Sequence, residues 1–151
     1  MKKKSQRLQV IVDLNADNEK KALEELGKAL SNKQELQTQL DHLQQYQHEY
    51  KDKYQSISKL GVNIAQLLEF RSFISKLDLA IEEQKQGILR QENNVVLARK
   101  NWEKHHQKTS SLQKVRDSAL AEEVKLENKR EQNEQDERAT RSGRGNGTRN
   151  A

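Results

Sequence analysis

Four histidines and 23 acidic side chains are the groups in this chain with the most scope for metal binding or acid–base chemistry. His105 and His106 are adjacent, so on a helix they point about 100° apart and cannot share a metal ion. His42 and His48 are six residues apart, which is also a poor ligand spacing. The acids recur four residues from lysines and arginines, as on the solvated flanks of a helix. A catalytic pair needs a concave, desolvated pocket to shift a pKa, and such flanks offer none. The sequence contains no phosphate-binding glycine loop, nucleophile elbow or zinc signature. The expectation is a protein with no catalytic residues, no cofactor and no metal, hence not an enzyme.

What remains is the chemistry of contact. Lys2, Lys3, Lys4 and Arg7 open the chain with no acid before Asp13, and Arg138, Arg141, Arg144 and Arg149 close it with none between them. Removing those eight cations turns the formal net charge of +5 into about −3 for the residues between. Such ends can meet acidic protein, anionic lipid or nucleic acid. Phe73, Leu77 and Ala80 fall at i, i+4 and i+7, a second apolar stripe beside the main one. It reads either as a widened core or as a docking surface.

Long helices must carry these groups. From Leu67 to Trp102 the apolar positions step by three and four residues through Phe70, Ile74, Leu77, Ile81, Ile88, Val95 and Ala98. One narrow seam of that length needs a partner of equal length. The stretch from Leu8 to Ile57 keeps the same spacing and is the one candidate in the chain. Composition agrees: 32% of residues are hydrophobic, 34% are charged and 4% are aromatic, too little apolar surface for a globular core. It suffices for a seam that asks for two apolar positions in seven. Proline is absent, so nothing forbids long helices. With no cysteine there is no disulfide framework, and no run approaches the roughly 18 apolar residues of a membrane span.

The fold expected is all-α, a long two-helix antiparallel coiled-coil hairpin with the second helix overhanging. Helix 1 covers about 8–58, the turn about 59–66 and helix 2 about 67–137, making a rod over 1–138 followed by a disordered, basic, glycine-rich tail over 139–151. Gly61 is placed to take a left-handed cap and Asn63 to cap the second helix. Folding back near residue 62 puts residues whose numbers sum to about 124 in one layer. Ile57 then meets Leu67, Leu43 meets Ile81, Leu36 meets Ile88 and Ala22 meets Trp102. Polar members also oppose one another: Lys33 with Gln91, Glu19 with His105, Asn15 with Thr109. Past Arg116 no partner remains for helix 2, whose apolar content shrinks to Ala119, Leu120, Val124 and Leu126. A single exposed helix of that polarity is marginal in water, so either it frays or another molecule supplies its other half.

YQHEYKDKY before the turn, FRSFISKLDLAIEEQ after it, and LARKNWEKHHQK further on resemble the FliJ family of flagellar export proteins. The likeness covers about 36–141 and is strongest from Tyr46 to Lys108. It implies a cytoplasmic component of the flagellar type III export apparatus, peripheral to the inner membrane and similar to the central stalk of rotary ATPases. It implies as partners the export ATPase ring (FliI), the export gate protein (FlhA) and export chaperones, with no small-molecule substrate and no specific nucleic acid. The family's gate-contacting positions correspond to Phe73, Leu77 and Ala80, and Gln84 stands where enterobacterial members carry histidine. Contact with the ring is expected at the paired ends, through Lys2, Lys3, Lys4, Arg7, Leu120, Val124 and Leu126. The alternative is a basic-ended coiled-coil adaptor for nucleic acid or an anionic membrane. That reading asks for cations along one face with interleaved aromatics, whereas here the aromatics sit on the seam and the charges alternate.

Overall fold

The computed structural model describes residues 3–61 and 63–149, the last five of these by backbone alone. They form two helices, α1 (Lys4–Lys59) and α2 (Ile64–Arg149), packed against each other as an antiparallel hairpin. Among the described residues there is no strand. The contacts divide the hairpin into a turn unit, Lys20–Lys104, and a terminal unit that combines the chain up to Glu19 with the chain from His105.

In the turn unit every residue at alternating steps of four and three, from Ala22 to Ile57 and from Leu67 to Trp102, is buried or half-buried. Leu40, Ile81 and Ile88 form a buried cluster with Leu36 and Leu43 packed against it, which brings together the residues the fold-back near 62 predicts to be neighbours. The turn is built as its residues suggest. Gly61 sits at φ +72°, a left-handed conformation that a Cβ would oppose. Asn63 Oδ1 accepts the Ala65 N–H at 3.2 Å, and the Asn63 carbonyl accepts those of Gln66 and Leu67. These bonds start α2 at Ile64, three residues before the expected position.

Polar side chains interrupt the seam, and their pairing differs from expectation. Lys33 reaches Glu92 at 3.7 Å and not Gln91. Gln91 Nε2 instead donates to the Ala29 carbonyl at 3.0 Å. A glutamine in the seam faces the opposite backbone at short range, whereas the lysine stem carries its charge outward to the flanking acid.

The terminal unit continues the same heptad. Asn15 and Thr109 are both buried, and they satisfy themselves along their own helices: Asn15 Nδ2 donates to the Ile11 carbonyl at 2.8 Å and Thr109 Oγ1 to that of His105 at 2.9 Å. Glu19 pairs with His106 at 2.7 Å and not with His105. His105 is half-buried in the seam, which leaves the more exposed neighbour to reach across.

Both helices also run further than the sequence suggests. α1 begins at Lys4 and not near Leu8, so pairing continues past Arg116 to Ala119, which is buried, and to Glu123. Lys3 occupies the cap position without a capping side chain, which is why the start is not legible locally. α2 extends through Arg149, where disorder was expected from 139. No proline opposes continuation there, and Thr140 Oγ1 donates to the Asp136 carbonyl at 2.9 Å.

Candidate partner-binding surfaces

The predicted ridge is built from the flank of α2 that leaves the seam in the turn unit. Its four residues do not share one environment. Phe73 is 42% exposed and stacks on Tyr50, with ring centroids 4.6 Å apart and planes tilted by 51°. Tyr50 also touches Phe70, at 6.1 Å. Lys53 Nζ lies 5.3 Å from the centre of the Tyr50 ring. Leu77, by contrast, is 8% exposed and belongs to the seam, so it cannot lie on an open ridge. Heptad spacing explains this: Leu77 follows Ile74 by three and precedes Ile81 by four, and those steps return it to the interface.

Ala80 is half-buried beside that interface. Gln84 is half-buried too, and its amide is engaged: Nε2 donates to the Leu36 carbonyl at 2.9 Å and to Gln39 Oε1 at 3.1 Å. Of the four residues, therefore, Phe73 is the exposed apolar side chain, Ala80 is half-buried at the edge of the seam, and Leu77 and Gln84 are turned into the interface with α1. Sequence inspection missed Tyr50 as part of the surface. Its seam position and the step to Phe73 across the turn were the available signal.

The second surface lies on the terminal unit. Lys3, Lys4 and Arg7 are exposed there, while Lys2 lies outside the described residues. The first turn of α1 has its free N–H groups partly satisfied by α2. Ser5 Oγ donates to Glu123 Oε2 at 2.6 Å and the Ser5 N–H donates to Oε1 at 3.1 Å. Gln6 Oε1 accepts the Lys3 N–H at 3.3 Å. A carboxylate from the second helix thus occupies the place where a local cap would sit, at the positive end of the α1 dipole. These bonds hold the Glu123 carboxyl below the usual carboxylate range, the Ser5 hydroxyl contributing most, then the Ser5 amide; desolvation opposes them and Lys3 adds to them.

Neither Ser5 nor Glu123 was singled out from sequence. Extending the heptad back from Leu8 and forward from Arg116 would have reached both. Beyond Glu123 no helix among the described residues lies alongside α2; Val124 and Leu126 there, and Leu120 just before, are all at least half exposed.

These surfaces present exposed apolar and charged side chains. A family model described as flagellar FliJ protein matches residues 3–148. The chain is 27% identical over 135 residues to the flagellar FliJ protein of Salmonella typhi, covering 89% of this chain and 92% of that one. It is 25% identical over 135 residues to the flagellar FliJ protein of Escherichia coli strain K12, with the same coverage. A match that spans nearly the whole hairpin, seam, turn and extended second helix together, means that the chain belongs to the flagellar FliJ protein family.

Proposed function

We propose that this protein is a flagellar export component that links two partners, the export ATPase ring (FliI) at its terminal unit and the export gate protein (FlhA) at the Phe73 surface. Family membership supports the export role. The observation that carries the ring contact is the run of α2 past Glu123, a polar helix with no companion among the described residues and with Val124 and Leu126 exposed, next to the exposed Leu120 just before it. Alone in water such a helix is marginal, and a ring that surrounds it would supply the missing half of its contacts. Lys3, Lys4 and Arg7 add positive charge at the same end. ATP chemistry belongs to the ring, as in a rotary stalk arrangement, and export chaperones meet the complex from the cytoplasmic side.

The test compares the full chain with a version ending at Glu123, mixed with purified export ATPase. The full chain should bind and promote ring assembly, and the shortened chain should lose most of both. Equal binding by the two versions would remove the ring contact from this helix. For the gate, Phe73→Ala is the informative change, because Leu77→Ala would also weaken the seam. It should reduce gate binding and motility while leaving the helical content unchanged. Unaltered gate binding would sink that half of the proposal.

A further inference from the structure

The terminal unit closes its seam with different chemistry from the turn unit. In the turn unit every buried side chain among the described residues is apolar, from Ala22 and Leu26 round to Val95. In the terminal unit Ser5, Asn15 and Thr109 are buried alongside Val12 and Ala119, so polar groups take the larger share. Apolar burial is the main force that holds two helices together in water, and this seam has little of it.

Its polar groups do not make up the difference. Asn15 Nδ2 and Thr109 Oγ1 donate to carbonyls of their own helices, so both keep those bonds if the helices part. Bonds that do cross the seam run from Ser5 to Glu123, from Arg116 Nη1 to Gln9 Oε1 at 3.0 Å, and between His106 and Glu19. They lie at its edge, where the His106 side chain is 56% exposed. Water takes over such bonds on opening, so each adds little to the closed form. Among the described residues, α1 has no neighbour but α2 over this stretch.

We propose that residues 4–19 of α1 form a strap that lifts off residues 105–123 of α2 as one unit, with the contact between Ser5 and Glu123 as its clasp. The turn unit keeps its own apolar seam closed meanwhile. The closed strap is the major form, and the open form bares Val12, Thr109 and Ala119 in a small fraction of molecules. Opening extends the unpaired stretch of α2 from the residues after Glu123 back to His105. That the longer stretch serves the ring contact rests on the reading above, whereas the opening itself does not.

The native chain contains no cysteine, so single cysteines placed in the full chain report opening through their rate of reaction with a thiol reagent. Val12→Cys and Val95→Cys form a matched pair, one in each unit, at positions 3% and 6% exposed. Static burial makes Val12→Cys the slower or the equal of the two. A strap makes it faster by about tenfold or more. Ala119→Cys and Ala22→Cys, at positions 7% and 3% exposed, should show the same preference for the terminal unit. Circular dichroism checks that each variant keeps the native helical content.

A strap that opens as one unit gives similar rates, within about threefold, at Val12→Cys, Ala119→Cys and Thr109→Cys. Rates that fall steeply from Ala119→Cys through Val12→Cys to Thr109→Cys would mean fraying from the chain end and would overturn the proposal. Equal rates at Val12→Cys and Val95→Cys would overturn it as well. Asn15→Leu combined with Thr109→Leu supplies the terminal seam with apolar side chains, and should slow Val12→Cys by about tenfold while leaving Val95→Cys unchanged. Glu123→Ala undoes the clasp and should speed Val12→Cys by about threefold or more. A rate at Val12→Cys that ignored both changes would sink the strap and its clasp together.

Discussion

Ser5 and Glu123 show how a single tertiary contact decides where a helix starts. The bound species is the carboxylate, so the contact is complete above the ordinary carboxyl range, near about 4.3. It is lost as pH falls through the depressed Glu123 value. Amide exchange at Ser5 and Gln6 should therefore be slow at neutral pH and accelerate, relative to the intrinsic rate, at the acid end. In Glu123→Ala the same amides should be poorly protected throughout. Protection at Ser5 that survives this substitution would mean that another group holds the helix start.

Within the seam, Leu40 packs with Ile81 and Ile88. Leu40→Ala should cost about 2–3 kcal/mol in urea unfolding, from lost burial plus the cavity left behind. Lys33→Ala, which removes a partly exposed ion pair, should cost no more than about 1 kcal/mol. Comparable losses for the two would contradict a seam held mainly by apolar burial.

At the scale of the elements, the turn and the helix interior give opposite expectations for the same substitution. Gly61→Ala places a Cβ on a backbone at φ +72° and should destabilise the hairpin by about 1 kcal/mol. Gly27 lies inside α1, and a Cβ there would meet nothing within 4 Å. Gly27→Ala should therefore stabilise by about 0.5–1 kcal/mol through helix propensity alone. Asn63→Ala removes the α2 cap and should cost about 1 kcal/mol. Thermal unfolding followed by circular dichroism reads all three, and the opposite signs at the two glycines are the decisive feature. If both glycine variants lost stability, strain at the turn would not be what distinguishes Gly61.

At the scale of the whole molecule, the point where pairing ends is the feature that connects fold to function. A chain ending at Glu123 keeps every paired layer of the terminal unit, so its melting temperature should stay close to that of the full protein. A chain ending at Arg116 loses the buried Ala119 and the carboxylate on Ser5, and its α1 start should fray with a measurable fall in melting temperature. Equal melting of the two truncations would show that pairing stops earlier. This also separates roles: Ala119 and Glu123 serve the hairpin itself, whereas the residues after Glu123 are those proposed for the ring contact.

Sequence by itself determined the hairpin. A three-and-four spacing of apolar residues leaves one stripe per helix to bury, and Gly61 with Asn63 places the reversal between two such stripes. Register follows from those facts, which is why Leu36 and Leu43 pack against the cluster of Leu40, Ile81 and Ile88. What the tertiary structure alone decided lies where a side chain could choose between partners. Lys33 prefers Glu92, Glu19 prefers His106, and Gln84 turns inward to the Leu36 carbonyl. The start of α1 belongs to the same class, because its cap comes from Glu123, 118 residues away. Leu77 makes the point for the contact surface. Its spacing places it equally on the seam and on the ridge beside it, and the presence of the opposing helix buries it. Periodicity specifies which side of a helix is apolar; long flexible side chains and distant caps are settled by what the second helix brings within reach.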